Sequence, residues 1–171
     1  MSRVILYLYM KTKIQWSKLL VAVLGTHAAG VVGILFTEPA LATWYSSLVE
    51  PALSPPSWVF GPVWLTLYTL MGIAVYLIWT KRGSKSVRAS SSTALTVYWV
   101  HMILNGSWSI AFFGNQNITV ALAIIVVMLA FIVLLMKLFW KIDRRATYLF
   151  APYLAWVTFA TYLNWSYWIL N

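Results

Sequence analysis

The chain has 171 residues, of which 62% are hydrophobic, 17% aromatic and 9% charged, and its formal net charge is +9. A soluble domain carries about 25% charged residues, so this chain has too few charges to stay dispersed and too much apolar surface to hide, which excludes a soluble enzyme and a disordered tail. In a soluble protein such positive charge would point to nucleic acid; here the basic residues flank long apolar runs and read as topogenic, so no nucleic-acid partner is expected.

Residues 19–37, 51–80, 89–136 and 146–171 contain no Asp, Glu, Lys or Arg. A helix needs about 20 apolar residues to cross a bilayer, so the third run holds two crossings and the chain reads as an all-α, five-transmembrane-helix bundle. The runs are too long, and too little alternating, for barrel strands. In chain order, residues 1–15 form a basic arm, and a single membrane domain covers 16–171. Span one, about 16–36, carries Gly25, Ala29 and Gly33 at intervals of four, a groove of small residues suited to close helix approach and hence to a homodimer interface. A loop at 37–57 follows, stiffened by Pro39, Pro51, Pro55 and Pro56 and bearing Trp44, Tyr45 and Leu48; it reads as a lid over the outer mouth of the bundle.

Span two, about 58–80, places Trp64 and Tyr68 one turn apart on one face. Span three, about 93–113, carries His101, Asn105, Trp108 and Phe112 as a continuous helical stripe. A polar turn at Gly114–Asn117 leads into span four, about 118–139. Span five, about 146–170, repeats Trp156, Ala160 and Asn164 at four, with Tyr153 one turn earlier. Polar side chains in mid-span face the bundle or a cavity. Asn105 and Asn164 can serve simply as interhelical hydrogen-bonding groups; with the tryptophans they can also line a pocket for a flat, largely apolar ligand. His27 and His101 read as hydrogen-bonding residues rather than haem ligands, so no metal site and no required cofactor are expected. The chain has no cysteine, no glycine-rich phosphate loop and no close carboxylate pair, and mid-membrane acids of the kind proton-coupled transporters use are missing. All 12 basic residues fall in the N-terminal segment up to Lys18, in the second connection, and at or beyond Lys137 around the fourth, which puts the N-terminus inside and the C-terminus outside.

Several blocks carry a family resemblance. Trp44-Tyr45-x-x-Leu48-x-x-Pro51, Pro55-Pro56-Ser57-Trp58-Val59-Phe60-Gly61-Pro62-Val63-Trp64 and Leu67-Tyr68-x-x-Met71-Gly72 resemble the signature of the TspO/MBR family of tryptophan-rich sensory and translocator proteins, which includes the peripheral-type benzodiazepine receptor. Leu104-Asn105-x-x-Trp108 with Phe112-Phe113-Gly114, and Pro152-Tyr153-Leu154-Ala155-Trp156 with Phe159-Ala160-Thr161 and Leu163-Asn164, are similar to two further blocks of that family.

The resemblance implies a dimeric five-helix membrane protein whose cavity, closed by the first loop, binds porphyrins such as protoporphyrin IX for transport or sensing. By that resemblance the ligand contacts are Tyr45, Trp64, Asn105, Trp108, Trp156 and Ala160, to which the helical stripes add Tyr68 and His101. It also implies an alternative, light- and oxygen-dependent porphyrin degradation with Trp64 and Trp156 as the catalytic pair; a small channel or exporter is the third reading. The host membrane is expected to be a prokaryotic plasma membrane, with the mitochondrial outer membrane as the alternative. Two departures stand out. No basic residue follows Arg145, where the animal cholesterol-recognition segment would need one. And Gly106 replaces the Trp that many members carry after the third-helix Asn, which is expected to widen or reshape the cavity there.

Overall fold

The computed structural model describes residues 14–81 and 83–171. Five long helices dominate it: α1 (Trp16–Leu41), α2 (Phe60–Trp79), α3 (Lys85–Ser109), α4 (Ile118–Ile142) and α5 (Arg144–Leu170). Short 3₁₀ turns at Tyr45–Ser47 and Ser57–Val59 shape the first loop, and a π-helical turn at Ile110–Gly114 ends α3. Three of these segments, Trp16–Leu41, Ser57–Trp79 and Ile118–Ile142, are long and apolar enough to cross a membrane. The helices α3 and α5 are equally long, but much of their bulk is Trp and Tyr interleaved with Ser, Thr and Asn.

Packing closes the helices into a ring. The α1 helix lies against α2 and α3, α4 against α3 and α5, and α2 against α5, with α2 and α3 also touching across the middle. Met71, Ala74, Val75, Ile78, Tyr98, Ile132, Leu135, Phe139, Phe150 and Tyr153 form the main core. Leu24, Val31, Ile34, Leu35, Leu65, Ile103, Val126 and Val133 face outward, an apolar exterior that only a lipid solvent makes favourable.

The helix ends follow local chemistry. Ser84 caps α3 by accepting from the Val87 N–H, Asn117 caps α4 through Val120, and Asp143 caps α5 through Arg145, each satisfying a donor that the first turn leaves free. The Ser84 cap starts α3 well before the expected residue 93. At its other end, α1 runs through Pro39 to Leu41, so the first loop is shorter than expected and begins after Leu41. Pro39 gives up the bond its absent N–H would have made, and its ring crowds the carbonyl one turn back, a cost confined to the end of the helix, where Thr43 donates to the carbonyls of Ala40 and Pro39. The basic arm expected over residues 1–15 lies outside the described residues except for Ile14 and Gln15.

Within the chain, the small residues of α1 face α3. A Cβ on Gly25 would fall 2.9 Å from the Trp99 ring and one on Gly33 would fall 3.0 Å from the Ser109 Oγ, both on α3. A Cβ on Gly106 would sit 3.9 Å from the Ala29 carbonyl oxygen and from Val32 Cγ1. Small residues from two helices thus meet and let α1 and α3 approach closely. Gly106 belongs to that contact and does not widen an aromatic cavity. The α1–α2 approach is as tight: a Cβ on Gly72 would lie 2.7 Å from Val23 Cα.

Candidate functional site

Helical spacing turns the aromatic and amide residues of α2, α3 and α5 inward at matching heights. In the lower layer Asn105, 5% exposed, joins three helices. The Tyr68 hydroxyl donates to Asn105 Oδ1 at 2.8 Å, and Asn105 Nδ2 donates to the Tyr153 hydroxyl oxygen at 3.0 Å. His101 Nε2 lies 3.0 Å from the same Tyr153 oxygen. Tyr68, Asn105, Tyr153 and His101 therefore form one polar chain in the core, and burial leaves each group dependent on the others. Trp64 stacks on Tyr68 at 5.2 Å and meets Tyr153 edge-on at 6.3 Å. His101 lies flat against Phe131.

The upper layer is organised by Trp108 and Asn164. The Trp108 indole donates to Asn164 Oδ1 at 3.0 Å, and Asn164 Nδ2 donates to the Ile118 carbonyl. Trp108 also stacks on Phe112 at 5.2 Å and meets Phe113 edge-on. The first loop closes over this layer. The Tyr45 ring packs against Phe112, Phe113 and Tyr167, its hydroxyl is 2.7 Å from that of Tyr167, and Trp44 meets Phe112 edge-on. Burial, with the Tyr167 hydrogen bond adding to it, pushes the Tyr45 hydroxyl above its ordinary pKa. The loop is tied to the end of α5 as well: the Val49 N–H donates to Asn171 Oδ1 at 2.8 Å, and Asn171 Nδ2 donates back to the Val49 carbonyl.

Of the expected contact residues, Trp64, Tyr68, His101 and Asn105 meet in the lower layer, and Tyr45 and Trp108 in the upper one. Trp156 stands beside the lower layer, edge-on to Phe60 and tilted against Phe159. Half-buried Ala160 packs against the core from the next turn of α5. Trp64 on α2 thus meets Tyr153 of α5, and Trp156 on α5 meets Phe60 of α2. The structure adds Tyr153 and Tyr167, whose positions extend the Trp156–Ala160–Asn164 repeat by one turn in each direction. Two buried polar atoms in this region, Trp156 Nε1 and His101 Nδ1, have no partner among the described residues. His27, by contrast, is engaged by the Val23 carbonyl through Nδ1, and no cluster of three metal-ligating side chains occurs among the described residues.

Aromatic faces with a few polar atoms suit a flat, conjugated ligand held by stacking and oriented at its edge. In this conformation the faces rest on one another, Trp64 on Tyr68 and Trp108 on Phe112. Two open clefts lie at the ends of the bundle, one of about 540 Å³ beside Lys18 and Arg88 and one of about 270 Å³ beside Phe36 and Phe113. A ligand among the aromatics would take the place of these ring-on-ring contacts.

The family model described as TspO/MBR matches residues 22–169. The chain is 34% identical to the tryptophan-rich protein TspO of Archaeoglobus fulgidus, over 90% of this chain and 97% of that protein. It is 38% identical to the tryptophan-rich sensory protein of Cereibacter sphaeroides, over 75% of this chain and 77% of that one. Similarity extends to the human translocator protein, 34% identical over 80% of each chain.

Proposed function

Because the chain belongs to the TspO/MBR family and is an integral membrane protein, we propose that it binds porphyrins of the protoporphyrin IX type between α2, α3 and α5, beneath the first loop, as a receptor for their transport or sensing. The observation that carries this reading is a cluster of aromatic faces from three helices and a covering loop, next to two buried nitrogen atoms with no partner among the described residues. A tetrapyrrole offers a flat π surface to the indoles and polar groups at its edge for such nitrogens. Trp64 and Trp156 are the stacking residues, Asn105 and His101 orient, and Tyr45 closes the site.

Titration of the purified protein with protoporphyrin IX in the dark, followed in the Soret band, tests this directly. Trp156→Ala is expected to weaken binding by about 1–3 kcal/mol, the range for losing an aromatic platform. An unchanged dissociation constant defeats the assignment. Working in the dark keeps light-driven loss of pigment from being read as release.

On the same reading all five helices cross the bilayer with the N-terminus inside. Support comes from charge: Lys18, Lys81, Lys85, Arg88, Lys137, Lys141, Arg144 and Arg145 sit at helix ends on one side of the bundle, while Glu38 and Glu50 sit at the other. Since the chain has no native cysteine, single Ser46→Cys and Ser86→Cys variants report topology cleanly. An impermeant maleimide added outside intact cells is expected to label the first and spare the second; the reverse pattern overturns the orientation.

A further inference from the structure

The larger cleft lies at the basic end of the bundle, far from the aromatic layers, between the start of α1, the end of α2 and the start of α3. Lys18, Trp79, Lys81, Arg88, Ser91 and Leu95 line it, around a volume of about 540 Å³. Its charge balance is unusual. Of the three acids in the chain, Glu38 and Glu50 belong to the opposite end, so Asp143 is the one carboxylate at this end. Asp143 is already committed to Lys81 at 3.1 Å and Arg145 at 2.9 Å. Lys18 instead lies over the Trp79 ring, 5.4 Å from its centroid, and neither Lys18 nor Arg88 forms an ion pair among the described residues. Counter-charge for this pair has to come from outside the chain.

A second observation points into the same space. Ser91 is 6% exposed, and its buried Oγ has no hydrogen-bond partner among the described residues. A mid-helix serine ordinarily returns its hydroxyl to a carbonyl one turn back, as Thr93 and Thr96 do on this helix. Ser91 leaves its hydroxyl at the cleft. Two cations and a hydroxyl donor make a site for a phosphate group. Trp79 and Leu95 supply an apolar wall beside it, and Trp79, 38% exposed, occupies the position of an interfacial anchor.

We propose that this cleft binds the phosphate headgroup of an anionic phospholipid, with Lys18 and Arg88 paired to the phosphate, Ser91 donating to it and the acyl chains leaving along Trp79 and Leu95. The shared chemistry is that of a phosphate anion; the apolar wall favours a lipid over a free ion as its source.

Native mass spectrometry of the detergent-solubilised full chain, offered phosphatidylglycerol and phosphatidylcholine in equal amounts, reads the site. One retained phosphatidylglycerol per chain is expected. Lys18→Gln/Arg88→Gln is expected to lower its retention about tenfold or more, at about fivefold per basic residue near a lipid surface. Ser91→Ala should cause a smaller drop. Lys137→Gln/Lys141→Gln removes the same charge at the same end but outside the cleft, and is expected to retain the lipid. Unfolding midpoints and protoporphyrin binding of each variant separate a local loss from a misfolded chain. Equal retention of the two lipids, or equal loss in the two double variants, overturns the proposal. Displacement of phosphatidylglycerol by millimolar inorganic phosphate overturns the lipid assignment and makes the occupant a soluble phosphate.

Discussion

Asn105 is the residue on which the lower polar layer turns, and its replacement by Leu gives a worked test of that arrangement. Leucine fills similar space but removes the acceptor of the Tyr68 hydroxyl and one partner of Tyr153. Tyr153 keeps His101, so one hydroxyl, that of Tyr68, is orphaned. A buried unsatisfied hydroxyl costs about 1–3 kcal/mol, and a hydrogen bond between membrane helices is worth about 0.6 kcal/mol on average. Together these place Asn105→Leu near 2 kcal/mol of destabilisation. Tyr68→Phe removes the donor and leaves Asn105 Oδ1 unused, a cost of about 1 kcal/mol by the same accounting. In the double variant the orphaned hydroxyl no longer exists, so the combined cost should fall to about 1 kcal/mol, giving a coupling of about 2 kcal/mol. Reversible unfolding in mixed detergent micelles, followed by circular dichroism, measures all four corners of the cycle. Additivity within about 0.3 kcal/mol would refute the claim that the two side chains share one bond.

The remaining tests address packing, charge and the loop. Ala29→Leu inserts bulk between α1 and α3 and should cost about 1–3 kcal/mol, lowering the unfolding midpoint; loss of a dimer by analytical ultracentrifugation at unaltered stability would instead place the groove at an interface between copies. Gly72→Ala meets the Val23 backbone 2.7 Å away and should destabilise by about 2–3 kcal/mol, read in the same unfolding assay. The Arg145 guanidinium, aided by Lys81, holds the Asp143 carboxyl well below the usual carboxylate range. That contribution is present above the unfolded-state value of about 3.9 and is lost as pH falls below it. Asp143→Asn should therefore cost about 1–2 kcal/mol at neutral pH and flatten the acid limb of the stability profile, and an unchanged acid limb would contradict the ion-pair assignment. Asn171→Ala releases both backbone groups of Val49 and is expected to speed hydrogen exchange in the first loop about fivefold, the equivalent of about 1 kcal/mol, measured by mass spectrometry.

What the sequence made legible follows periodicity, and what it hid follows from packing between helices. Four-residue spacing identified Trp64 with Tyr68, and His101 with Asn105, because a single helix determines which of its own residues share a face. It could not say that Tyr153 would be the hydroxyl meeting both His101 and Asn105, since that depends on how α5 is rotated against α3. The same limit explains the small-residue groove: spacing revealed Gly25, Ala29 and Gly33, but only the packed bundle shows Trp99, Gly106 and Ser109 filling it. Gly106 read as space for a ligand because it stands where many family members carry Trp; one step along a helix turns a side chain by about 100° from Asn105, and that step carries Gly106 to α1. Helix ends were obscured by punctuation with two meanings. Pro39 looked like a stop but lies in a last turn, and the polar run Lys85–Ser92 looked like a loop but is the capped beginning of α3.

The π-helical turn at Ile110–Gly114 closes on an Asn115 N–H to Ile110 carbonyl bond of 2.7 Å, a span of five residues where an α-helix uses four. That turn holds one residue of slack at the very place where Phe112 and Phe113 are both brought against Tyr45 and Trp108. Shortening the chain by one residue there would let the turn tighten into an ordinary one, leaving everything below it in phase. The same deletion between Trp99 and His101 finds no such slack: it swings His101 and Asn105 by about 100° relative to the start of α3 and sets the polar chain against its own neighbours. The C-terminal end of this helix can absorb a change in length that its middle cannot.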